Sequence, residues 1–262
     1  MLIVLSMQKR KNRTFLFPRR NNIVTEKLTD GRLSVLNVKY STSGKRISMK
    51  KLCRICDGIS DTVLCPEGII PENAPLMRFC DNTLQLILME RFLFSLLSDF
   101  PSENVRICLC DPFARFYELA ERLSEHCPGI TVATRMYHFY NKRADSLSGK
   151  GRLIITESPS CLPECDIIIH PEPVSTALPE CRIILSAYEP LIDDKRIIYR
   201  YNADIPDRYK ALIPAGTDEQ YFLCALYSLE RRKELAEIVP STVKTKQGAL
   251  SREYILNILS EG

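Results

Sequence analysis

VRICLCDPFARFYELAERL, residues 105–123, reads as a buried strand, a tight turn and an amphipathic helix in direct succession. The run VRICLC is apolar at five of its six positions and short, the pattern of a strand covered on both faces. After the turn, Phe116, Leu119, Ala120, Leu123 and Cys127 recur at spacings of three and four, which gives a helix one apolar stripe to lay against that strand. The turn itself, DPFARF, contains no glycine.

The same alternation continues downstream. Strands are expected at GITVAT (129–134), RLIIT (152–156), CDIIIH (165–170), CRIILSA (181–187) and RIIYRY (196–201), with a polar helix between the first two. Strands alternating with helices argue for a parallel sheet covered on both faces. The links SPSCLPE and PEPVSTALPE are too short and too rich in proline for long helices, so the second half of the sheet is expected to have short crossovers.

Upstream, the runs LIVLS, RTFLFP, NNIVTEKL and RLSVLNVKY are separated by polar residues or by the Asp30–Gly31 turn signal, which predicts antiparallel strands and hairpins. LIVLS is too short for a signal peptide, and its basic residues follow it rather than precede it. A short helix over 46–58 leads to a strand in DTVLCP, and then to an apolar helix over 84–97 with Asp81 or Asn82 as its N-cap. That helix carries Glu90 and Arg91 and is too short to cross a bilayer, so no membrane association is expected. Covering the sheet and forming a homodimer contact would both bury its side chains. Near the end, Thr217 and Gln220 have the spacing of a capping box before a helix over 218–239, and Ser251 precedes a final helix, REYILNILS. The expected organisation is a strand-rich segment over 1–60, an α/β domain over 61–215 and C-terminal helices over 216–262.

The composition, with 45% hydrophobic and 26% charged residues, is that of a globular chain. Eleven cysteines without a secretory signal suit a reducing, cytoplasmic setting in which thiols pack as small hydrophobes. Cys53 and Cys56 form a CxxC, but Ile47, Leu52, Ile55 and Ile59 around them follow helical spacing, so packing accounts for them and no metal site is assigned. The net charge of +4 is unevenly spread, because residues 1–56 hold fourteen Lys or Arg against Glu26 and Asp30. KRKNRTFLFPRR, residues 9–20, mixes cations with two phenylalanines, as surfaces that attract phosphates and stack bases do. Arg10, Lys11, Arg13, Arg19 and Arg20 are therefore nucleic-acid candidates, the alternative being a solvated basic hairpin that balances the acidic remainder.

Over residues 105–190, the strand–turn–helix unit, GITVATR, the polar helix and CDIIIHPEP together resemble the NAD(P)-binding domain of the shikimate dehydrogenase and glutamyl-tRNA reductase type. The resemblance implies a Rossmann-like, largely parallel open sheet. It also implies a GxGxxG turn after the first strand, where this chain has Asp111, Phe113 and Phe116 instead. Asp111 would oppose a diphosphate, Phe113 would fill the space of the approaching backbone, and Phe116 would separate helix from strand.

Open parallel sheets bind ligands beyond the carboxyl ends of their strands, which should gather Glu67, Asp111, Arg135, Glu157, His170, Glu172, Tyr188 and Glu189. From these, Asp111, Arg135, Glu157, His170, Glu172 and Tyr188 are the ligand-binding candidates. His170 is placed to exchange a proton with Asp111 or Glu172. No catalytic motif is visible. The reading is a non-catalytic ligand-binding or protein-interaction module on a degenerate nucleotide-binding scaffold, without a cofactor. Its alternatives are an NADP-dependent oxidoreductase using Arg135 and His170, and nucleic-acid binding through the basic segment, which would make an anionic molecule the partner.

Overall fold

The computed structural model describes residues 1–9, 22–42, 48–99, 105–127, 129–147, 152–156 and 164–260. Their strands are β1 (Leu2–Lys9), β2 (Asn22–Asp30), β3 (Leu33–Thr42), β4 (Thr62–Val63), β5 (Met77–Arg78), β6 (Ile107–Cys110) and β7 (Gly129–Ala133). After these come β8 (Arg152–Thr156), β9 (Ile167–Ile169), β10 (Ile183–Leu185), β11 (Ile197–Ile198), β12 (Arg200–Asn202), β13 (Thr242–Thr245) and β14 (Gly248–Ser251). The α-helices are α1 (Met49–Cys56), α2 (Thr83–Asp99), α3 (Tyr117–His126), α4 (Tyr137–Leu147), α5 (Asp207–Lys210), α6 (Glu219–Leu229) and α7 (Arg252–Ser260). They fall into two compact units, Met1–Leu84 with Ile205–Leu235, and Gln85–Asp204 with Ala236–Gly262.

In the first unit, β2 and β3 form the expected antiparallel hairpin. Its two-residue turn opens on Gly31, whose φ of +55° is the backbone that such a turn demands and that glycine adopts without strain. The expectation of an all-antiparallel segment fails at β1, which pairs in parallel with β3 and is bridged to Leu64 beside β4. LIVLS is buried from Leu2 to Leu5, and a strand with both faces covered is free to take the interior position that a parallel pairing gives it. Ile3, Leu5, Val38, Tyr40, Leu52, Cys56 and Cys65 share one core. Burial pushes both thiols up to about 11.

The second unit is built on a six-stranded sheet of order β11-β10-β9-β6-β7-β8, parallel throughout. Numbered from β6, that order is 3-2-1-4-5-6 read from the β8 edge, the arrangement of doubly wound dinucleotide-binding folds. The fold is thus α/β and Rossmann-like. The proline-rich link SPSCLPE lies outside the described residues except for Glu164; no helix lies between β9 and β10, as PEPVSTALPE implies, nor between β10 and β11. In place of helices, Arg196 ties the second link to the first, donating to Asp194 and to the carbonyls of Pro179 and Leu178. At the amino ends of the strands, Asp166 accepts from the Arg106 amide and pairs with Arg106 and Arg182.

Several C-terminal expectations need correction. RIIYRY does not form one strand: it divides into β11, in the parallel sheet, and β12, which joins an antiparallel sheet with β13 and β14. The hairpin β13–β14 was not anticipated, because TVKTKQGALS has little apolar alternation to mark it. The cap of α6 is Asp218, which accepts from the Tyr221 amide, rather than Thr217. That helix ends at Leu229, well before residue 239; Arg231 takes a positive φ of +54° and a 3-10 turn follows over Lys233–Glu237. Ser251 does precede α7 and accepts from the Tyr254 amide. The apolar α2 buries Leu88, Met89, Phe92, Leu93 and Leu96 within the chain, and Gln85 exchanges hydrogen bonds with the Tyr201 backbone. Among the described residues, no helix is long and apolar enough to cross a membrane.

The Asp194–Arg196 clamp yields a pH-dependent expectation. Hydrogen bonds from Arg196 hold the Asp194 carboxyl below its usual range, so its stabilisation is complete above the unfolded-state pKa and disappears as pH falls through the lower folded-state value. Asp194→Asn is expected to cost about 1–2 kcal/mol at neutral pH, a difference that shrinks as pH falls below the unfolded-state value of about 3.9 and through the lower folded-state value, as urea unfolding across a pH series would measure.

Candidate functional site

The order reversal between β6 and β9 places a crevice at the carboxyl ends of those two strands, where open α/β sheets receive their ligands. β6 is buried at all four positions and runs straight into Asp111, whose amide still bonds to the Ala133 carbonyl beside it. Asp111 is only 1% exposed. A carboxylate so enclosed must be fully hydrogen-bonded, and it is. One oxygen, Oδ1, accepts from the Arg115 amide at 2.8 Å, while Oδ2 accepts from the Phe116 amide at 3.0 Å and from the Tyr140 hydroxyl at 2.7 Å.

The Phe116 amide is at the N-cap of α3, where an N–H lacks an intrahelical partner, and the Arg115 amide precedes it in the turn. In a dinucleotide-binding domain such donors face the diphosphate. Here they face a side chain of the protein. Asp111 was expected to bring a negative charge towards a diphosphate; in the structure its carboxylate is turned onto these two amides. Tyr140, fully buried on α4, completes the arrangement, and its phenol is pushed well above its usual pKa by burial first and by Asp111 second. The turn still needs one left-handed residue, which is Ala114, with φ +55°, a conformation strained by about 1–2 kcal/mol in a residue with a Cβ.

The other two replaced glycine positions behave differently from expectation. Phe113 does not fill the phosphate space but is 49% exposed, with the Arg115 guanidinium 5.2 Å from its ring centre. Phe116 is half-buried, and the face that α3 buries consists of Leu119, Ala120, Leu123 and Ser124. Across the crevice, Arg115 also reaches Glu172 at 3.4 Å.

The remaining candidates divide between the two sides of β6. Arg135 follows β7, is exposed, and its amide bonds to the Pro112 carbonyl. His170 directly follows β9 and is half-buried; its Nδ1 lies 2.8 Å from the backbone carbonyl of Glu172, so its contact is with neither carboxylate proposed for proton exchange. Ser186, fully buried after β10, lies within hydrogen-bonding distance of the Glu172 and Tyr188 carbonyls and accepts from the Tyr188 amide, which fixes that loop. Arg135 and His170 follow β7 and β9, the strands on either side of β6, which leads into Asp111. Glu67 follows β4, which pairs with β5 rather than with the six-stranded sheet and belongs to the first unit.

Glu157 and the basic candidates Arg10, Lys11, Arg13, Arg19 and Arg20 lie outside the described residues. Sequence reasoning missed Arg115 and Tyr140. An aspartate directly after a buried strand, followed by no glycine, was the available signal that the turn needed an internal acceptor. Among the described residues, no group of three or more His, Cys, Asp or Glu is arranged to hold a metal ion.

No protein-family model and no curated protein matches the chain. Among solved structures, the L-tryptophan dehydrogenase of Nostoc punctiforme is similar over 86% of this chain and 74% of its own, at 12% identity and a TM-score of 0.36. A lysine cyclodeaminase structure, concerned with recognition of L-lysine, L-ornithine and L-2,4-diaminobutyric acid, is similar over 44% of this chain at 16% identity and a TM-score of 0.27. The chain spans 37% of that protein's length. The Rossmann-like relationship rests on strand order, and the narrower shikimate dehydrogenase type stands as a reading of the sequence.

Because Asp111 satisfies three donors at once, Asp111→Ala is expected to destabilise the chain by about 2–4 kcal/mol in denaturant unfolding. Tyr140→Phe removes one donor and leaves the two amides paired, so its cost should be nearer 1 kcal/mol.

Proposed function

We propose that this chain is a non-catalytic ligand-binding or protein-interaction module on a Rossmann-like scaffold whose diphosphate seat is closed from within. The observation that carries the reading is the pairing of Asp111 with the Arg115 and Phe116 amides and the Tyr140 hydroxyl. A diphosphate arriving at those amides would have to displace a buried carboxylate and leave its negative charge nearby. Both changes oppose binding: the carboxylate loses charge-assisted hydrogen bonds, and two anions are brought together in a region of low dielectric. The groups exposed around the seat, Phe113 with Arg115 beside it and Arg135 with Met136 and Tyr137, suit contact with a surface or a small molecule that does not require those amides.

A second reading, an NADP-dependent oxidoreductase, is favoured by one feature. Arg135 stands exposed just beyond the second strand of the unit, where a cation meets the ribose phosphate of NADP. His170, held through Nδ1, would exchange a proton through Nε2.

Calorimetric titration with NAD(H) and NADP(H) separates the two readings. The module predicts no heat of binding at millimolar cofactor. Saturable NADP(H) binding that weakens on Arg135→Ala would replace it with the oxidoreductase.

A further inference from the structure

Of the ten cysteines among the described residues, Cys80 alone is exposed. It lies two residues past Arg78 in β5, and Cys65 lies two residues past Val63 in β4. These strands run parallel with Val63 opposite Arg78, and Phe79 donates its amide to the Val63 carbonyl. The chain therefore leads both cysteines in the same direction from paired positions.

Arg78 joins them. Its Nε donates to the Cys65 carbonyl at 3.1 Å, and its NH1 donates to Cys80 Sγ at 3.4 Å. Tyr221 lies against the guanidinium, 5.6 Å from its ring centre, and donates its hydroxyl to the Phe79 carbonyl, which holds the strand between the two thiols. Arg78 puts a cation beside the Cys80 sulfur, and thiols that react with peroxides are exposed and accompanied by a second cysteine. The surroundings of Cys108, Cys110 and Cys165 are of the opposite kind. They sit in one apolar cluster, where burial pushes Cys110 up to about 12.

We infer that Cys80 is a hydroperoxide-reactive thiol, with Arg78 as its cation and Cys65 as the thiol that resolves its oxidised form. In the first step the Cys80 thiolate attacks one peroxide oxygen and the O–O bond breaks. The other oxygen leaves as hydroxide or alkoxide, takes up a proton, and Cys80 becomes a sulfenic acid. In the second step the Cys65 sulfur attacks the Cys80 sulfur and the S–O bond breaks. Water leaves with the Cys65 proton, and a disulfide remains. Two thiols are oxidised by two electrons and one hydroperoxide is reduced.

The second step is held back by the state of Cys65. Burial pushes its thiol up to about 11 against the opposing pull of Arg78, so at neutral pH it is almost entirely protonated. The sulfenic acid should thus persist long enough to be trapped.

The test is to treat the reduced full-length chain with hydrogen peroxide, with and without dimedone, and to map the products by tryptic mass spectrometry, since cleavage after Arg78 separates the two cysteines. The expected results are a Cys65–Cys80 disulfide without dimedone, a dimedone adduct on Cys80 with it, and a larger adduct yield in Cys65→Ser. Arg78→Gln should slow the oxidation of Cys80 about tenfold, with Arg78→Lys recovering part of the rate. Oxidation of Cys80 no faster in the wild type than in folded Arg78→Gln would overturn the inference, as would a disulfide joining Cys80 to any other cysteine. Because Cys65→Ser changes a single atom, it provides a folded reference even where an Arg78 variant fails to fold.

Discussion

A buried carboxylate needs a partner for nearly every lone pair, and Asp111 meets that requirement with two backbone amides and a tyrosine hydroxyl. The geometry of the strand-to-helix turn follows. The amides of Arg115 and Phe116 are drawn inwards, the chain turns back through the left-handed Ala114, and α3 starts directly over the end of β6. Tyr140 secures the same carboxylate from α4, so one side chain connects the first strand of the sheet with the helices that follow its first two strands. Dinucleotide folds achieve a comparable turn with glycines and leave the amides to a ligand. This chain supplies the anion itself.

That substitution alters what the carboxyl edge offers. With the amides occupied, the exposed chemistry lies around them: Phe113 against Arg115, the Arg115–Glu172 ion pair, Arg135 beyond β7, and His170 held by the Glu172 carbonyl. The Arg115 guanidinium is largely exposed, so its ion pair with Glu172 adds little stability and leaves the arginine available to other contacts. The scaffold keeps the strand order of its class, and the two amides ahead of α3 are held by a side chain of the chain itself.

The core of the second unit was legible in the sequence because its strands are short apolar runs separated by proline-rich or helical links. Ile107–Cys110, Ile167–Ile169 and Ile183–Leu185 each occur where their pattern places them. The reading failed where tertiary pairing rather than local pattern decides. RIIYRY looks continuous, yet Tyr199 donates to Lys244 and the chain moves from one sheet to another. Likewise LIVLS reads as a strand, but nothing local shows that its partner runs parallel. At the site, the missing glycines and the position of Asp111 could be read directly. The direction of its carboxylate could not, because that depends on Tyr140, twenty-nine residues away. Phe113 was misjudged for a similar reason: a bulky residue in a tight turn can fill the interior or project outwards, and the choice belongs to its neighbours.

The most direct measurement is of the backbone amides of Arg115 and Phe116 by two-dimensional NMR during titration with inorganic pyrophosphate. With Asp111 in the anion seat, both resonances should stay in place, while the Asp111→Asn spectrum should show the same two signals displaced before any pyrophosphate is added. Saturable movement of both wild-type resonances with pyrophosphate would contradict the account, since it would mean that the amides are open to an external anion.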